Sequence, residues 1–216
     1  FYQNLMGTSP INMPIELIKI IFDQTAKFYP KTKIGYAFTE PLIYPDLIES
    51  LQYAKAKNLY TSITTNALTL KQKAKDFCEL GLNDVFISLD GPEEIHNQIR
   101  GHKSSFQKAI EGIDELLKHS PRPNISIFCV ITEWNIGHLK EFADYFKKFP
   151  LKQLGFMHTN FTPDFIVSNH NKIYGDKYPA TISNTEQIEI SKMNLKILLD
   201  EITEIKKTDY SFKVTF

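Results

Sequence analysis

Polar side chains recur where apolar, strand-like segments of this 216-residue sequence end. The residues that share this placement are Glu40, Thr64, Asn66, Ser88, Asp90, Thr132 and His158. The carboxyl ends of parallel strands meet at one edge of a sheet, where ligands bind in open sheets and barrels alike. Strand ends are also more hydrated than strand interiors, which is the alternative explanation for Thr132. Agreement among the five predicted strands favours a ligand-binding edge.

The segment Ile34–Asp46 places a carboxylate in a costly setting. It is predicted to form a strand, a sharp turn and the start of a helix, because Pro41 has no N–H to continue a strand ladder. The strand period of two puts Tyr36, Phe38 and Glu40 on one face. A carboxylate beside two aromatic side chains is unfavourable unless something binds it. Glu40 is therefore the leading candidate for a ligand-binding residue.

Arg100 and His158 are further candidates, each with an ordinary alternative. Arg100 follows the segment SLDGPEEIHNQI, and its guanidinium could pair with a carboxylate through two hydrogen bonds. The alternative for Arg100 is a surface arginine. His158 could be a ligand, an acid–base group or a buried core histidine. Asn160, two residues later, would be on the same face of the strand.

Strands and helices alternate along most of the chain. Predicted strands span residues 34–40, 60–66, 84–90, 124–132 and 153–159, and predicted helices span residues 13–29, 46–57, 70–80, 104–119 and 135–148. Residues 91–103 are predicted as a polar loop and residues 160–185 as a long loop or lid. A final helix over residues 186–207 and a strand at Ser211–Phe216 follow. This alternation predicts an α/β fold with a parallel sheet, open or closing into a barrel.

Composition narrows the class of protein. The 25 basic and 25 acidic residues balance, so no global field attracts nucleic acid or an anionic membrane. No apolar run reaches the length of a membrane span and no signal peptide is visible, so we expect a soluble, cytoplasmic protein. Cys78 and Cys129 lie outside any CxxC or HExxH motif, and the chain carries no metal motif. Because the sequence opens with Phe1 and closes inside an alternating run, we expect a fragment of a longer protein.

The segments TEPLIYPD, TTNA, ISLDGP and HNQIRG, at these spacings, resemble the core of a radical S-adenosylmethionine (SAM) enzyme. The resemblance covers about Met13 to Thr159. The occurrence of SLDGP together with IRG resembles the branch of the family that adds a SPASM or twitch segment after the barrel. It implies a partial (β/α)6 TIM-type barrel with parallel strands, whose first strand and cluster loop are missing from this chain. Residues 1–159 would form this core barrel, and residues 186–216 its final helix and strand or the start of a C-terminal extension.

In this family a Gly-Gly-Glu-Pro motif holds the methionyl amino group of SAM, and Thr39, Glu40 and Pro41 match its end. Phe38 and Thr39 stand where the two glycines usually are, and Ala67 also replaces a usual glycine. The resemblance further implies SAM contacts for Thr64, Asn66, Ser88, Asp90, Arg100 and Thr132. Among these, Arg100 would form a salt bridge with the SAM carboxylate.

The resemblance also implies a reaction. A 4Fe–4S cluster held by Cys-x3-Cys-x2-Cys reductively cleaves SAM to methionine and a 5′-deoxyadenosyl radical, which abstracts a hydrogen atom from the substrate. That motif is absent here, and Phe1 and Tyr2 resemble the aromatic residues after its third cysteine, so we expect the cluster ligands before Phe1. The implied enzyme is of the oxidoreductase or transferase type. Its substrate would be an unidentified small molecule or peptide near His158 and Asn160, and its electron donor a protein such as flavodoxin or ferredoxin.

Two other functions fit parts of the pattern. A radical-SAM-like domain without a cluster could bind SAM or a partner and perform no chemistry. A cofactor-independent barrel lyase or aldolase would need a lysine at a strand end for a Schiff base, and no predicted strand ends in one. An open-sheet nucleotide-binding domain is disfavoured because the sequence contains neither GxGxxG nor a P-loop.

Overall fold

The computed structural model describes residues 12–37, 39–158, 164–180 and 190–216. The strands are β1 Lys33–Tyr36, β2 Tyr60–Thr65, β3 Asp84–Ser88, β4 Asn124–Ile131, β5 Gln153–His158 and β6 Lys213–Thr215. The helices are α1 Ile15–Phe28, α2 Leu47–Ala56, α3 Leu70–Leu80, α4 Glu93–Arg100, α5 Ser105–Leu117, α6 Leu139–Tyr145, α7 Asp164–Tyr174 and α8 Leu195–Lys207. No helix in the described ranges is both long and apolar enough to cross a membrane.

The six strands lie in the sheet in their chain order, and each neighbouring pair is parallel. Connections between parallel strands are right-handed, so a sheet wound in one direction has its crossovers on one face. A doubly wound sheet instead reverses its strand order partway. The order in this sheet, whose ends do not pair with each other, is that of a partial barrel. The predicted parallel α/β fold is confirmed.

The two faces of the sheet differ in burial. The face that shares a core cluster with α3 and α5 carries the fully buried side chains of Ile63, Val85, Ile87, Ile125, Ile127 and Leu154. The opposite face, which we call the inner face, carries the half-buried side chains of Ser62, Thr64, Phe86, Ser88, Phe128 and Val130. The side chains of β3 and β4 separate into these two faces by the predicted period of two. The inner face therefore offers both aromatic rings and hydroxyl groups.

Gly155 of β5 leaves room for an aromatic ring on the inner face. A Cβ atom added at Gly155 would lie 2.6 Å from both Cδ1 and Cε1 of Phe128 and 3.3 Å from Thr215 Oγ1. We expect Gly155→Ala to lower the free energy of unfolding by about 1–3 kcal/mol, because the ring must shift to make room. Gly35→Ala in β1 is the matched control, since its Cβ would meet Ser62 Oγ at an ordinary 3.6 Å. Equal urea midpoints for both variants would contradict this packing.

Two segments that the sequence analysis assigns to loops are helical. Residues 93–100, within the predicted polar loop 91–103, form α4, which has two glutamates in its first turn and ends at Gly101 with φ +61°. These are ordinary helix signals, but the segment is short, mostly polar and buries only His96. Residues 164–174, within the predicted long loop 160–185, form α7, where only Val167 is buried. Hydrophobic periodicity misses helices that bury so little.

The predicted helix 135–148 begins later than expected, because a turn occupies residues 133–137. Helix α6 starts at Leu139, and Glu201 of α8 binds the backbone ahead of it. The Glu201 carboxylate, 8% exposed, accepts hydrogen bonds from the backbone N–H groups of Gly137 at 2.7 Å, Leu139 at 2.7 Å and Lys140 at 3.3 Å. A carboxylate at a helix N-terminus is favourable for charge and for hydrogen bonding. Glu201 thereby fastens α8 to α6.

Candidate functional site

The Glu40 carboxylate is held by backbone and hydroxyl donors of its own chain. Strand β1 ends at Tyr36, earlier than predicted, and Glu40 precedes a short 3-10 helix at residues 41–43. Oε1 accepts hydrogen bonds from Leu42 N at 3.1 Å and Thr65 Oγ1 at 2.6 Å, and Oε2 accepts one from Asn66 N at 2.8 Å. A carboxylate has about four lone-pair sites, so three bonds fix its orientation and leave capacity for a further donor. Phe38 lies outside the described residues, so its predicted face is not tested.

Thr65 is the threonine that contacts Glu40, although the sequence analysis names Thr64. The Thr65 hydroxyl also accepts a hydrogen bond from Ala67 N at 2.9 Å. Thr64 lies on the inner face and is half-buried, and Asn66 reaches Glu40 through its backbone. Ala67 has φ +62°, a left-handed conformation that favours glycine, which gives a physical reason for the glycine usual at this position in the resembled family. The turn that follows β2 thus orients Glu40, and the TTNA segment carries the corresponding turn residues.

Asp90, directly after β3, has all of its polar atoms engaged. Its Oδ2 accepts a hydrogen bond from Arg100 Nε at 2.6 Å and its Oδ1 a longer one from Val130 N at 3.4 Å. Its backbone N–H donates to His96 Nδ1 at 3.0 Å, and its carbonyl accepts from Asn135 Nδ2 at 2.9 Å. The side chain is only 5% exposed. This geometry makes Asp90 the fixed partner of Arg100, and the predicted direct contact between Asp90 and SAM stays a prediction.

Arg100 projects from the last turn of α4 and is partly accessible. Its side chain is 36% exposed, and within the described ranges its two terminal nitrogens make no hydrogen bond. The Nε–Asp90 contact directs the guanidinium and leaves those nitrogens available to a ligand carboxylate. His96 and Arg100 lie on one face of α4 because residues four apart in a helix are neighbours. The predicted role of Arg100 as a carboxylate-binding fork is compatible with this position and stays a prediction.

His96 and Asn135 are site residues that the sequence analysis misses. His96 is 1% exposed, and burial lowers its pKa to about 4 although the nearby Asp90 carboxylate opposes this change. The ring is therefore neutral near pH 7 and accepts at Nδ1, and its Nε2 has no hydrogen-bond partner in the described part of the chain. Asn135 is completely buried and bonds the carbonyls of both Asp90 and Val130. The sequence signals are the Asp-x5-His-x3-Arg spacing and an asparagine shortly after a strand.

Ser88 and Thr132 occupy different surroundings at the same edge of the sheet. Ser88 is half-buried on the inner face and pairs in register with Phe128, whose ring lies 5.3 Å from that of Phe86. Thr132 is 4% exposed, its backbone N–H donates to Asn135 Oδ1 at 2.8 Å, and its hydroxyl is buried without a partner in the described residues. Ser88 is placed to meet a ligand on the inner face. Thr132 contributes to the packing between β4 and the following turn.

His158 is exposed at the end of β5, so the alternative that it is a buried core histidine is wrong. By the strand period of two, His158 is on the same face of the sheet as Leu154 and Phe156, which are buried against the helices. Gly155 and Met157 occupy the inner phase instead. Asn160, predicted beside His158, lies outside the described residues.

The described residues do not fit a 4Fe–4S cluster. They contain no group of three or more His, Cys, Asp or Glu side chains that could hold a metal ion. Cys78 and Cys129 are buried, and burial raises the pKa of both thiols. Since the thiolate is the form that binds iron, buried and protonated cysteines on an apolar face are poor ligands.

Comparisons with known proteins identify the family to which the chain is similar. The family model described as "Radical SAM superfamily" matches residues 2–146. The chain is 22% identical over 197 residues to the Fe-coproporphyrin III synthase of Methanosarcina barkeri, covering 91% of this chain and 45% of that protein. It is 29% identical over 119 residues to the serine-type anaerobic sulfatase-maturating enzyme of Bacteroides thetaiotaomicron, covering 53% and 28% of the two chains. This chain thus spans less than half the length of these curated relatives.

Two solved structures share the fold. Streptococcus suis SuiB bound to S-adenosylmethionine has a TM-score of 0.65 at 13% identity, covering 97% of this chain and 45% of SuiB. The protein anSMEcpe with bound AdoMet has a TM-score of 0.61 at 20% identity, covering 86% of this chain and 59% of that one. These similarities agree with the partial barrel read from the strand order. Because the family model covers more than half of the sequence, from residue 2 to residue 146, the chain belongs to the radical SAM superfamily.

Proposed function

We propose that this chain forms the barrel of an enzyme that binds SAM at the carboxyl edge of its sheet and uses it to remove a hydrogen atom from a substrate. The observation that carries the proposal is the fixed Glu40 carboxylate after β1, together with the Arg100 fork anchored after β3. Strands β1 and β3 flank β2, so the two charges belong to strands about 10 Å apart. The long arginine side chain can close much of that gap.

The residues present fit SAM by their chemistry. The methionyl end of SAM is a zwitterion, which needs an acceptor for its ammonium group and a donor pair for its carboxylate. Glu40 has capacity for one more donor, and the terminal nitrogens of Arg100 remain available in the described ranges. The hydroxyls of Thr64 and Ser88 and the rings of Phe86 and Phe128 offer polar and stacking contacts on the inner face.

When bound, SAM would supply the radical that starts the reaction in this family. The chain's own part is to hold the amino-acid end of SAM rigidly and to exclude water. The Glu40 and Asp90 networks perform the first task. The apolar rings of the inner face contribute to the second. A cluster in the whole protein would take its ligands from outside these 216 residues, since both cysteines present are buried.

The substrate is proposed only by class. The matched relatives are enzymes, and one neighbour, SuiB, has been solved with the precursor peptide SuiA. We infer a peptide as the first substrate class to test. Further parts of this proposal are the SPASM-type branch, an oxidoreductase reaction, flavodoxin or ferredoxin as the electron donor, and a cytoplasmic setting. His158 and Asn160 remain the predicted substrate contacts. Family membership does not favour the alternatives of a cluster-free binding domain or a cofactor-independent lyase.

The test is iron and sulfide content with an electron paramagnetic resonance spectrum after reduction, on the full-length protein purified without oxygen. We expect about four irons per chain, a spectrum that SAM perturbs, and 5′-deoxyadenosine after reduction in the presence of SAM. Iron-free protein that still binds SAM would support the cluster-free binding domain. Protein that neither contains iron nor binds SAM would overturn the proposal.

A further inference from the structure

We propose that His96 and Asn135 are positioning residues that direct the Arg100 guanidinium through Asp90, and that they thereby control how the site recognises the carboxylate of its ligand. This inference rests on the proposed function, because it takes that ligand to be SAM. Both residues are buried, and both hydrogen-bond to the backbone of Asp90. Their effect must pass through the residue that they hold.

Arg100 depends on Asp90 for its direction. An unrestrained arginine side chain samples many rotamers, and fixing it costs conformational entropy. The 2.6 Å bond between Arg100 Nε and Asp90 Oδ2 removes part of that freedom before a ligand arrives. A carboxylate can direct a guanidinium in this way only if its own backbone cannot shift.

His96 fixes the backbone of Asp90 from one side. Its neutral Nδ1 accepts the Asp90 N–H, and Arg100 lies one helical turn further along α4, so α4 contacts Asp90 twice. The His96 ring also packs edge-on against Phe106 of α5, with 6.1 Å between ring centroids. Gly91 permits the close approach of α4, since a Cβ there would lie 3.1 Å from Ile95 Cγ2 and its φ is +148°. The imidazole therefore sets the position of α4 relative to the end of β3.

Asn135 fixes the backbone of Asp90 from the other side. Its Nδ2 donates to the carbonyls of Asp90 at 2.9 Å and Val130 at 2.7 Å, while its Oδ1 accepts from Thr132 N at 2.8 Å. One buried amide thus joins the ends of β3 and β4. The Asp90 carboxylate also accepts a hydrogen bond from the N–H of Val130. Asp90 and Val130 are therefore joined directly by this bond and indirectly through Asn135.

The experiment measures the affinity of the full-length protein, purified without oxygen, for SAM and for decarboxylated SAM, which lacks only the carboxylate. We expect Arg100→Met to weaken SAM binding at least about tenfold and to change binding of the decarboxylated analogue less than about twofold. His96→Leu and Asn135→Ala should show the same selective loss at about three- to tenfold. His96→Asn, which places an acceptor near the Nδ1 position, should restore most of the affinity.

Two further variants separate positioning from folding. Combining His96→Leu with Arg100→Met should cause no loss beyond that of Arg100→Met, because His96 acts through Arg100. His138→Leu is the matched control, since His138 is 44% exposed and contacts only Glu141 among the ionisable groups described. If His96→Leu does not fold, His96→Gln replaces it, because its amide lies near the Nε2 position and leaves the Asp90 N–H without its acceptor.

Each outcome decides between the two proposals. Equal losses for SAM and its decarboxylated analogue in the His96 and Asn135 variants would overturn the positioning role. A selective loss in Arg100→Met with unchanged affinity in the other two variants would overturn it as well and leave the proposed function intact. Both the wild type and Arg100→Met could bind SAM and decarboxylated SAM with equal affinity. In that case Arg100 does not recognise the carboxylate, and the inference loses its basis.

Discussion

Replacing Glu40 by Gln is expected to weaken SAM binding to the full-length protein about 10- to 100-fold, the range for a charge-assisted hydrogen bond. The amide loses the charge that pairs with the ligand's ammonium group. Its nitrogen replaces one of the two carboxylate oxygens and cannot accept the hydrogen bond that Thr65 or Asn66 donates to that oxygen. Equilibrium dialysis of oxygen-free protein measures the change.

Two variants control for the Glu40 result. Glu49→Gln removes an exposed carboxylate of α2 that pairs with Lys19, and it should leave SAM affinity unchanged. Thr65→Val removes one hydrogen bond to Glu40 but keeps the charge, so a smaller loss of about fivefold is expected. If Glu40→Gln binds SAM as tightly as the wild type with the same iron content, Glu40 is not the ammonium acceptor.

Glu201→Leu is expected to lower the free energy of unfolding by about 3–5 kcal/mol, because each backbone donor left without an acceptor costs about 1–3 kcal/mol. Three backbone N–H groups at the start of α6 would lose their acceptor, and leucine offers none. Urea denaturation followed by circular dichroism measures the loss. SAM affinity of the folded fraction is a second readout, because Gly137 lies in the same turn as Asn135, which holds the backbone of Asp90.

Glu204→Leu is the matched control for Glu201→Leu. Glu204 lies on the same helix, one turn further on, and is exposed. Its replacement should change the free energy of unfolding by less than about 0.5 kcal/mol, as is usual at surface positions. Similar losses in the two variants would show that helix propensity or added hydrophobicity, and not the buried carboxylate, determines stability here.

The strands and their faces were predictable from sequence because they follow from simple periodicity. Val85, Ile87 and Leu89 alternate with Phe86 and Ser88, and burial in the structure follows that alternation up to Asp90, which is buried at the end of the strand. Helix α4 was not predictable by this signal, since its polar residues face solvent and only His96 is buried. Its start and end signals were present, but a pattern search weighted by apolar residues passes over them.

Much less of the site could be predicted. Glu40 was recognisable because strand periodicity puts a carboxylate beside aromatic residues, and Arg100 because its guanidinium follows the SLDGP segment and can pair with a carboxylate. The contacts of Thr65 and Asn135 depend on which backbone groups the turns after β2 and β4 present, and sequence spacing does not encode this. Asp90 was predicted to contact SAM from its position at a strand end and from the family resemblance, whereas the four groups that engage it come together only in the folded chain.

The chain order of the strands also determines where the sheet opens most easily. In the sheet Lys33 of β1 pairs with Tyr60 of β2, and Gln153 of β5 pairs with Lys213 of β6. The chain between the paired residues is therefore longer for β6, and it forms a longer loop when the strands pair. Closure entropy grows with that length, and three residue pairs hold β6, compared with six between β4 and β5. Thermal fluctuations therefore release β6 at a lower free energy than the central strands, and its amide hydrogens exchange with solvent sooner than those of β4.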